Sequence, residues 1–201
     1  MMTITYPVKN GIYVNMTNRC PCDCTFCLRQ NADSVYGSDP LWLDREPTIQ
    51  EVCDSLDTWD LEKYDEIVFC GYGEPTERLG DLLEVAKYIK SKSTIKIRIN
   101  TNGLADLIWE KSTAPMLKGL IDSVSISLNA TNKETYLEVV RPKFGIDSYD
   151  AMLKFTKDCV NYVPNVVMTV VDVVTSPEEQ EKSRQICEEL GATLRVRPYE
   201  E

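Results

Sequence analysis

Histidine is absent from this sequence of 201 residues. Because imidazole is the commonest general base near neutral pH and a common zinc ligand, chemistry that depends on it is excluded. Long apolar runs are also missing, since no stretch approaches the ~20 residues that cross a bilayer. The opening segment 1–7 lacks the basic start and apolar core of a secretory signal. We therefore expect a cytoplasmic protein whose eight cysteines serve metal binding or reactivity rather than disulfides.

Positive charge is scarce in this chain. Lysine and arginine number 22 against 32 aspartates and glutamates, which gives a net charge of −10 and a pI near 4.7. This balance argues against broad binding to nucleic acid or anionic membranes. The densest basic stretch, Lys87–Arg98, lies where a predicted helix ends, so compensation of the helix dipole accounts for it. No linker-like segment or repeat divides the sequence, which predicts a single domain over residues 1–201.

Apolar, β-branched runs alternate with helical patterns along the chain, which is typical of repeated βα units. A capping box of Thr48 and Glu51 marks one helix start, and Gly191 marks the end of the last helix. Segment Thr3–Val8 is expected to pair with the first strand as a short hairpin. The predicted strands are Gly11–Thr17, Glu66–Gly71, Ile95–Thr101, Ser123–Asn129, Val166–Val174 and Thr193–Arg197. The predicted helices are Thr48–Leu56, Gly80–Lys90, Leu104–Lys118, Asn132–Val140 with Ser148–Tyr162, and Pro177–Leu190.

Three of the predicted strands alternate polar with apolar residues, so each has one polar face. The polar positions are Arg98, Asn100 and Asn102 in the third strand, Ser123, Ser125, Ser127 and Asn129 in the fourth, and Arg195 and Arg197 in the last. An antiparallel sheet with one wet face would give the same pattern. Helix-length connections favour parallel pairing instead. We therefore predict an open, parallel barrel whose concave face is lined for a ligand.

The densest chemical feature is the segment Cys20–Cys27, which follows the first predicted parallel strand and contains four cysteines. Cys20, Cys24 and Cys27 read as C-x3-C-x2-C, a spacing that suits one compact loop around an iron–sulfur cluster. Three protein ligands leave one iron open for a substrate. A structural zinc site on all four cysteines is the alternative, although such sites normally use two separated pairs.

This spacing, with aromatic Phe26 just before the last cysteine, resembles the signature of the radical S-adenosylmethionine (SAM) superfamily. A second motif, Gly71–Thr76, follows the next strand, where members of that superfamily carry a Gly-Gly-Glu-type motif. Tyr72 stands where that motif has its first glycine. Alone, the motif would indicate only a turn. The resemblance implies that Gly73 and Glu74 hold the SAM amino group through a backbone carbonyl and a carboxylate.

Further SAM contacts follow from the same resemblance, although each of these residues alone would also suit a surface position. The implied contacts are Asn100 and Asn102 in a Thr-Asn-Gly turn, Ser125, Ser127 and Asn129 near the ribose, and Arg141 at the SAM carboxylate. The resemblance covers essentially the whole chain and implies a partial (β/α)6 barrel of parallel strands with a short N-terminal hairpin extension. A narrower likeness, to small radical SAM proteins associated with TatD-type nucleases, is carried by segments 18–21, 41–43 and 46–47.

The remaining cysteines suit no second cluster by their spacing. Cys53, Cys159 and Cys187 lie in predicted helices and are expected to be small core residues. For Cys70, core packing is favoured over a position in the cavity. Cys22 is interpreted as a bystander in the cluster loop.

The resemblance implies an enzyme in which a 4Fe–4S cluster on Cys20, Cys24 and Cys27 cleaves SAM reductively. The resulting 5′-deoxyadenosyl radical takes hydrogen from an unidentified substrate, which we expect to be a small molecule or nucleotide-like. Radical modification of a peptide or partner protein is one alternative, and a cysteine-rich metal-binding regulatory module that is no enzyme is another. No membrane partner is expected.

Electrons for the cluster are expected from an external donor of the flavodoxin or ferredoxin type. Such donors are typically acidic, as is this chain, so docking requires a local positive patch. Arg19 and Arg29 flank the three cysteines, and Arg45 follows on the same long loop. Solvated arginines that merely balance the charge of the cluster are an equal alternative.

Overall fold

The structure is a computed structural model that describes residues 2–30, 32–34, 37–172 and 175–198. Its strands are β1 Thr5–Val8, β2 Gly11–Val14, β3 Glu66–Phe69, β4 Lys96–Thr101, β5 Ser123–Ser127, β6 Asn165–Val171 and β7 Thr193–Arg197. They form one sheet in sequence order, with β1 antiparallel to β2 and every later pair parallel. This confirms the predicted hairpin and parallel sheet over the antiparallel alternative. The predicted strand end at 173–174 lies outside the described residues.

Helices fill the connections between the parallel strands. They are α1 Ile49–Leu56, α2 Leu79–Lys92, α3 Ala105–Trp109, α4 Lys133–Val140, α5 Asp147–Cys159 and α6 Pro177–Leu190. At the start of α1, the Thr48 side chain accepts a bond from the Glu51 amide, and the Glu51 side chain accepts one from the Thr48 amide, which confirms the capping box. Gly191 ends α6 in the left-handed conformation, with φ 78°.

The predicted helix Leu104–Lys118 is wrong in its length. Helix α3 ends at Trp109, and Glu110 adopts a left-handed conformation with φ 51°. Asp106 Oδ1 accepts bonds from the Thr113 amide (2.8 Å) and hydroxyl (2.7 Å), which fold the chain back on itself. A separate 3-10 turn, Ala114–Leu117, follows with a proline in its first turn. Proline in a helix interior lacks the amide donor and clashes with the preceding turn, so one continuous helix cannot form here.

The two faces of the sheet differ in polarity, as the alternation predicted. The helix-facing side chains are almost wholly buried, and include Ile67, Phe69, Ile97, Ile99, Val124, Ile126, Met168 and Val170. Burying one such side chain contributes ~1.5–3 kcal/mol of transfer free energy. This contact between sheet and helices forms the main core, and it leaves the opposite, polar face free to line a cavity.

A smaller apolar cluster lies beside the hairpin. It joins Tyr6 and Val8 of β1 to Leu41 on the long loop before α1 and to Tyr72 after β3. The Tyr72 hydroxyl donates to the Ala32 carbonyl (2.5 Å), and its ring packs edge-on against Trp42. The sheet runs from β1 to β7 without closing, so β1 is an edge strand. The cluster packs the long loop against that edge. In the described part of the chain, no helix has the length and apolar content to cross a bilayer.

Candidate active site

The polar face of the sheet lines a cavity of about 690 Å3. This size falls within the ~300–1000 Å3 of typical small-molecule and cofactor pockets. The cavity extends from Asn10 and Asp65, before the strands, to the loops after their carboxyl ends. All predicted site residues except Arg141 line it, namely Cys20, Cys24, Phe26, Cys27, Gly73, Glu74, Asn100, Asn102, Ser125, Ser127 and Asn129.

The cysteine loop begins after β2 and faces this cavity. Cys20, Cys24 and Cys27 are partly exposed, whereas Cys22 is buried and accepts a long hydrogen bond from Asn102 Nδ2 (3.6 Å). Hydrogen bonding from the Cys22 thiol is the main factor that lowers the pKa of Cys20, and the Arg29 guanidinium lowers it further. The pKa of Cys22 is raised by the thiols of Cys20 and Cys24 and then by burial, whereas burial raises that of Cys27.

The thiols do not form a ready site for one metal ion. In the described residues, no group of three or more Cys, His, Asp or Glu side chains converges on a position for one metal ion. A cubane needs no such convergence, because each thiolate binds a different iron. Cys22 differs from the other three thiols in being buried, which agrees with Cys22 as a bystander in the loop.

The end of α4 and the segment after it anchor the cysteine loop through their backbone. The Thr25 amide donates to the Val139 carbonyl (2.9 Å), and the Lys143 amide donates to the Pro21 carbonyl (2.8 Å). Cys22 and Pro142 form an antiparallel bridge. These contacts join positions more than 100 residues apart, and the sequence analysis missed them.

Arg141 lies within this anchoring segment, outside the lining of the cavity. It is exposed, it is not among the lining residues, and it caps α4 in the left-handed conformation with φ 49°. Its assignment to the SAM carboxylate stays a prediction that this position does not support. The backbone of the Val-Arg-Pro motif pairs with the cysteine loop.

The three arginines around the loop are all engaged within the chain. Arg29 donates to the carbonyls of Cys22 (3.1 Å), Tyr72 (3.4 Å) and Asn18 (3.5 Å), so it links the cysteine loop to the glycine motif. The ion-pair partners are Glu46 and Glu77 for Arg19, and Glu51 for Arg45. Arg19 and Arg45 are paired with carboxylates, whereas the Arg29 bonds are to neutral backbone carbonyls, which leave its positive charge beside the cysteine loop.

Both glycines of the second motif are required by close approach. A Cβ on Gly73 would lie 2.2 Å from the Thr17 carbonyl oxygen and 2.6 Å from that of Arg19. A Cβ on Gly71 would lie 2.0 Å from Asn15 Oδ1. The motif therefore packs directly against the backbone that leads into the cysteine loop, whereas the middle position tolerates Tyr72, whose side chain joins the smaller apolar cluster.

Glu74 is buried at the end of the glycine motif and connects it to the end of β4. Its Oε1 accepts bonds from the Thr76 amide (3.0 Å), the Thr76 hydroxyl (2.7 Å) and the Thr101 hydroxyl (2.7 Å). Its Oε2 accepts one bond, from the Asn102 amide (2.8 Å). Burial raises the pKa of this carboxyl, and the hydrogen bonds oppose that shift. Since each carboxylate oxygen offers about two lone pairs, Oε2 retains room for another donor.

Two buried polar atoms in the cavity wall have no partner in the described structure. Asn129 Oδ1 and Tyr136 Oη are both buried and without a hydrogen bond. Burial is the main factor that raises the pKa of Tyr136, followed by the nearby thiols of Cys22 and Cys24. An unsatisfied buried polar group is costly, so both atoms are suited to hydrogen bonds with a bound polar ligand. Tyr136 was missed at the sequence level, because a tyrosine inside a helix gives no local signal of function.

The prediction that Cys70 packs in the core is wrong. It is partly exposed, lines the cavity after β3 and lies within hydrogen-bonding contact of Asn100. Cys53, Cys159 and Cys187 are buried, as expected.

A family model described as the radical SAM superfamily matches residues 14–189. Among curated proteins, the probable GTP 3',8-cyclase of Methanocaldococcus jannaschii is 26% identical over 190 residues, which cover 92% of this chain and 57% of that protein. The chain thus spans little more than half the length of this relative.

Solved structures share the fold. A radical SAM methyltransferase from Sphaerobacter thermophilus superposes with a TM-score of 0.67 at 16% identity, over 96% of this chain and 57% of that one. SuiB of Streptococcus suis bound to S-adenosylmethionine superposes with a TM-score of 0.65 at 17% identity, over 94% of this chain and 38% of that one. At these identities the likeness establishes the partial barrel alone.

The family model covers most of the chain, including the cysteine loop, the glycine motif and β3 to β6. Members of this superfamily are enzymes that use a 4Fe–4S cluster and SAM. The chain belongs to the radical SAM superfamily.

Proposed function

We propose that this chain binds a 4Fe–4S cluster through Cys20, Cys24 and Cys27 and cleaves SAM reductively. When bound, the cluster and SAM supply an electron and a 5′-deoxyadenosyl radical that takes hydrogen from a substrate. The observation that carries this proposal is that the three thiols share one cavity with every predicted SAM contact except Arg141. In this proposal, residues 1–201 act as one radical SAM core domain.

The chain itself contributes binding and orientation. Gly73 brings backbone close to the cysteine loop, because any side chain there would collide with carbonyl oxygens. Glu74 Oε2 has room to accept a hydrogen bond from the SAM amino group, while its other contacts hold the carboxylate still. Asn129 Oδ1 and Tyr136 Oη offer unused hydrogen-bonding capacity to the remainder of the ligand. Ser125 and Ser127 line the same wall.

The substrate we propose is a small molecule or nucleotide-like compound held in the lumen. A volume of about 690 Å3 is that of a small-molecule or cofactor pocket, which favours a small substrate over a macromolecule. The relative named as a probable GTP 3',8-cyclase gives support to a nucleotide-like class. The unclosed sheet also leaves room for a peptide or partner protein, which is the second candidate.

We also propose that the cluster receives its electron from an external donor of flavodoxin or ferredoxin type. The proposed location is the cytoplasm. The donor is proposed because the cysteines outside the loop do not suggest a second cluster: Cys53, Cys159 and Cys187 are buried, and of these four only Cys70 lines the cavity among the described residues. Arg19 and Arg45 are paired with carboxylates, so among these three arginines Arg29 is the one whose charge best supports a docking site for the donor.

Anaerobic reconstitution with iron and sulfide, followed by dithionite and SAM, tests the proposal. We expect a brown 4Fe–4S chromophore and release of methionine and 5′-deoxyadenosine, measured by liquid chromatography and mass spectrometry. Metal uptake with no SAM binding would instead identify a metal-binding regulatory module and overturn the proposal.

A further inference from the structure

Two arginines project from β7 into the cavity. Alternation along the strand puts Arg195 and Arg197 on the same face, and both line the lumen. Arg195 Nη2 donates to Ser125 Oγ at 3.2 Å. Arg197 Nε is buried and has no hydrogen-bond partner within the described structure. The guanidinium groups are therefore held in the lumen with much of their donor capacity unused.

A third arginine in the lumen, Arg98, has hydrogen-bond partners for all three of its guanidinium nitrogens. Its Nε and Nη2 donate to the two carboxylate oxygens of Glu66 (2.9 and 2.6 Å), and its Nη1 donates to Asn100 Oδ1 (2.7 Å). This bidentate pair neutralises Arg98. By contrast, neither Arg195 nor Arg197 has a carboxylate within ion-pair distance among the described residues.

The carboxylates that line the lumen all have partners elsewhere in the chain. Glu66 is paired with Arg98, Glu74 is held by its four hydrogen bonds, and Asp65 accepts a bond from Asn10 (3.2 Å). None of these three carboxylates forms an ion pair with Arg195 or Arg197 in the described structure. Burial is the main factor that lowers the pKa of both Arg195 and Arg197, and the Arg98 guanidinium also lowers it. Tyr13 opposes the shift in both, as do Glu66 at Arg195 and Cys70 at Arg197.

We propose that Arg195 and Arg197 bind an oxyanion of the substrate, either a carboxylate or a phosphate. A planar guanidinium matches the geometry of both groups and makes its strongest hydrogen bonds to them. A chain with a net charge of −10 repels anions overall, so a local cationic site inside the lumen is needed to draw an anionic substrate in. Assigning the anion to the substrate rests on the proposed function.

The test uses the reconstituted holoprotein and two probes, inorganic pyrophosphate and succinate, titrated by calorimetry under anaerobic conditions. The variants are Arg195→Gln, Arg197→Gln and the double variant. Arg184→Gln is the matched control, because Arg184 is an exposed arginine of α6 that pairs with Glu181 and does not line the cavity. We expect at least one probe to bind, about tenfold more weakly in each single variant and undetectably in the double variant, with the control unchanged. The tighter probe identifies phosphate or carboxylate as the preferred class.

Each other outcome overturns the proposal. Binding that is equal in the double variant, or absent for both probes in the parent protein, would remove Arg195 and Arg197 as an anion site. Competition between SAM and the bound probe would assign the arginines to the cofactor rather than to the substrate. Because SAM binding is titrated on the same samples, loss of SAM binding in the parent protein marks failure of the proposed function separately.

Discussion

Two regions of the same cavity differ in how completely their polar groups are hydrogen-bonded. At the end of β3 and β4, Glu74 accepts four hydrogen bonds from the chain itself. Elsewhere in the lining, Asn129 Oδ1, Tyr136 Oη and Arg197 Nε are buried without a partner in the described part of the chain. The first region is assembled before a ligand arrives, whereas the second has hydrogen-bonding capacity that only a ligand can use. Substitutions in the two regions should therefore affect folding and binding differently.

The largest effect is expected at the cysteines. Alanine at Cys20, Cys24 or Cys27 should abolish the brown chromophore and all SAM cleavage, because each thiolate binds a separate iron. Cys22→Ala is the matched control, since this buried thiol bonds to Asn102 and is not a proposed ligand. Iron content and visible absorbance measure the result. Loss of the cluster in Cys22→Ala would make a four-cysteine site credible.

The next largest effect is expected at Gly73, on the preassembled side. Gly73→Ala would place a Cβ 2.2 Å from the Thr17 carbonyl oxygen, so backbone must shift. We expect a loss of ~1–3 kcal/mol in the free energy of unfolding, measured by urea denaturation of the cluster-free protein, together with reduced iron uptake.

Gly80→Ala is the control for this substitution. Gly80 lies in α2 with nothing within 4 Å of a new Cβ, and alanine favours a helix by up to about 1 kcal/mol. Equal stability of the two variants would show that the glycine motif does not need its close approach to the cysteine loop.

Glu74→Gln should weaken SAM binding by about ten- to a hundredfold, since a charge-assisted hydrogen bond contributes roughly 1.5–3 kcal/mol. Iron content should stay unchanged. Glu77→Gln is the matched control, because Glu77 lies in the same turn but pairs with Arg19 and Lys143 outside the cavity. Calorimetric titration with SAM under anaerobic conditions measures the difference. Unaltered SAM affinity in Glu74→Gln would show that this carboxylate only stabilises the loop and does not bind SAM.

The smallest effect is expected at Tyr136, on the unsatisfied side. Tyr136→Phe removes a hydroxyl that has no partner, so the free energy of unfolding of the cluster-free protein should not fall. SAM binding should weaken by about two- to tenfold if the ligand uses the hydroxyl. Tyr149→Phe, in the ring packed against Tyr136, should change neither quantity. If Tyr136→Phe is destabilised but binds SAM normally, the Tyr136 hydroxyl contributes to folding and not to ligand binding.

Much of the architecture follows from local patterns. The boundaries of α6 match Pro177–Leu190 as predicted, because a proline start and a glycine end mark them in the sequence. The helix Leu104–Lys118 was wrong because Pro115 and the bond between Asp106 and Thr113 outweigh the helical pattern of that segment. Boundaries set by residue type were therefore predictable, and those set by a side chain that folds the chain back were not.

The sequence by itself determined the alternation of strands and helices, the polar inner face and the spacing of Cys20, Cys24 and Cys27. These features depend on neighbours a few residues apart, so their physical causes are visible in one dimension. Only the tertiary structure decided that the segment around Arg141 binds the cysteine loop through its backbone, and that Tyr136 and Arg197 have unused hydrogen-bonding capacity. Whether a buried group is satisfied depends on atoms brought together from distant parts of the chain, and no local pattern specifies them.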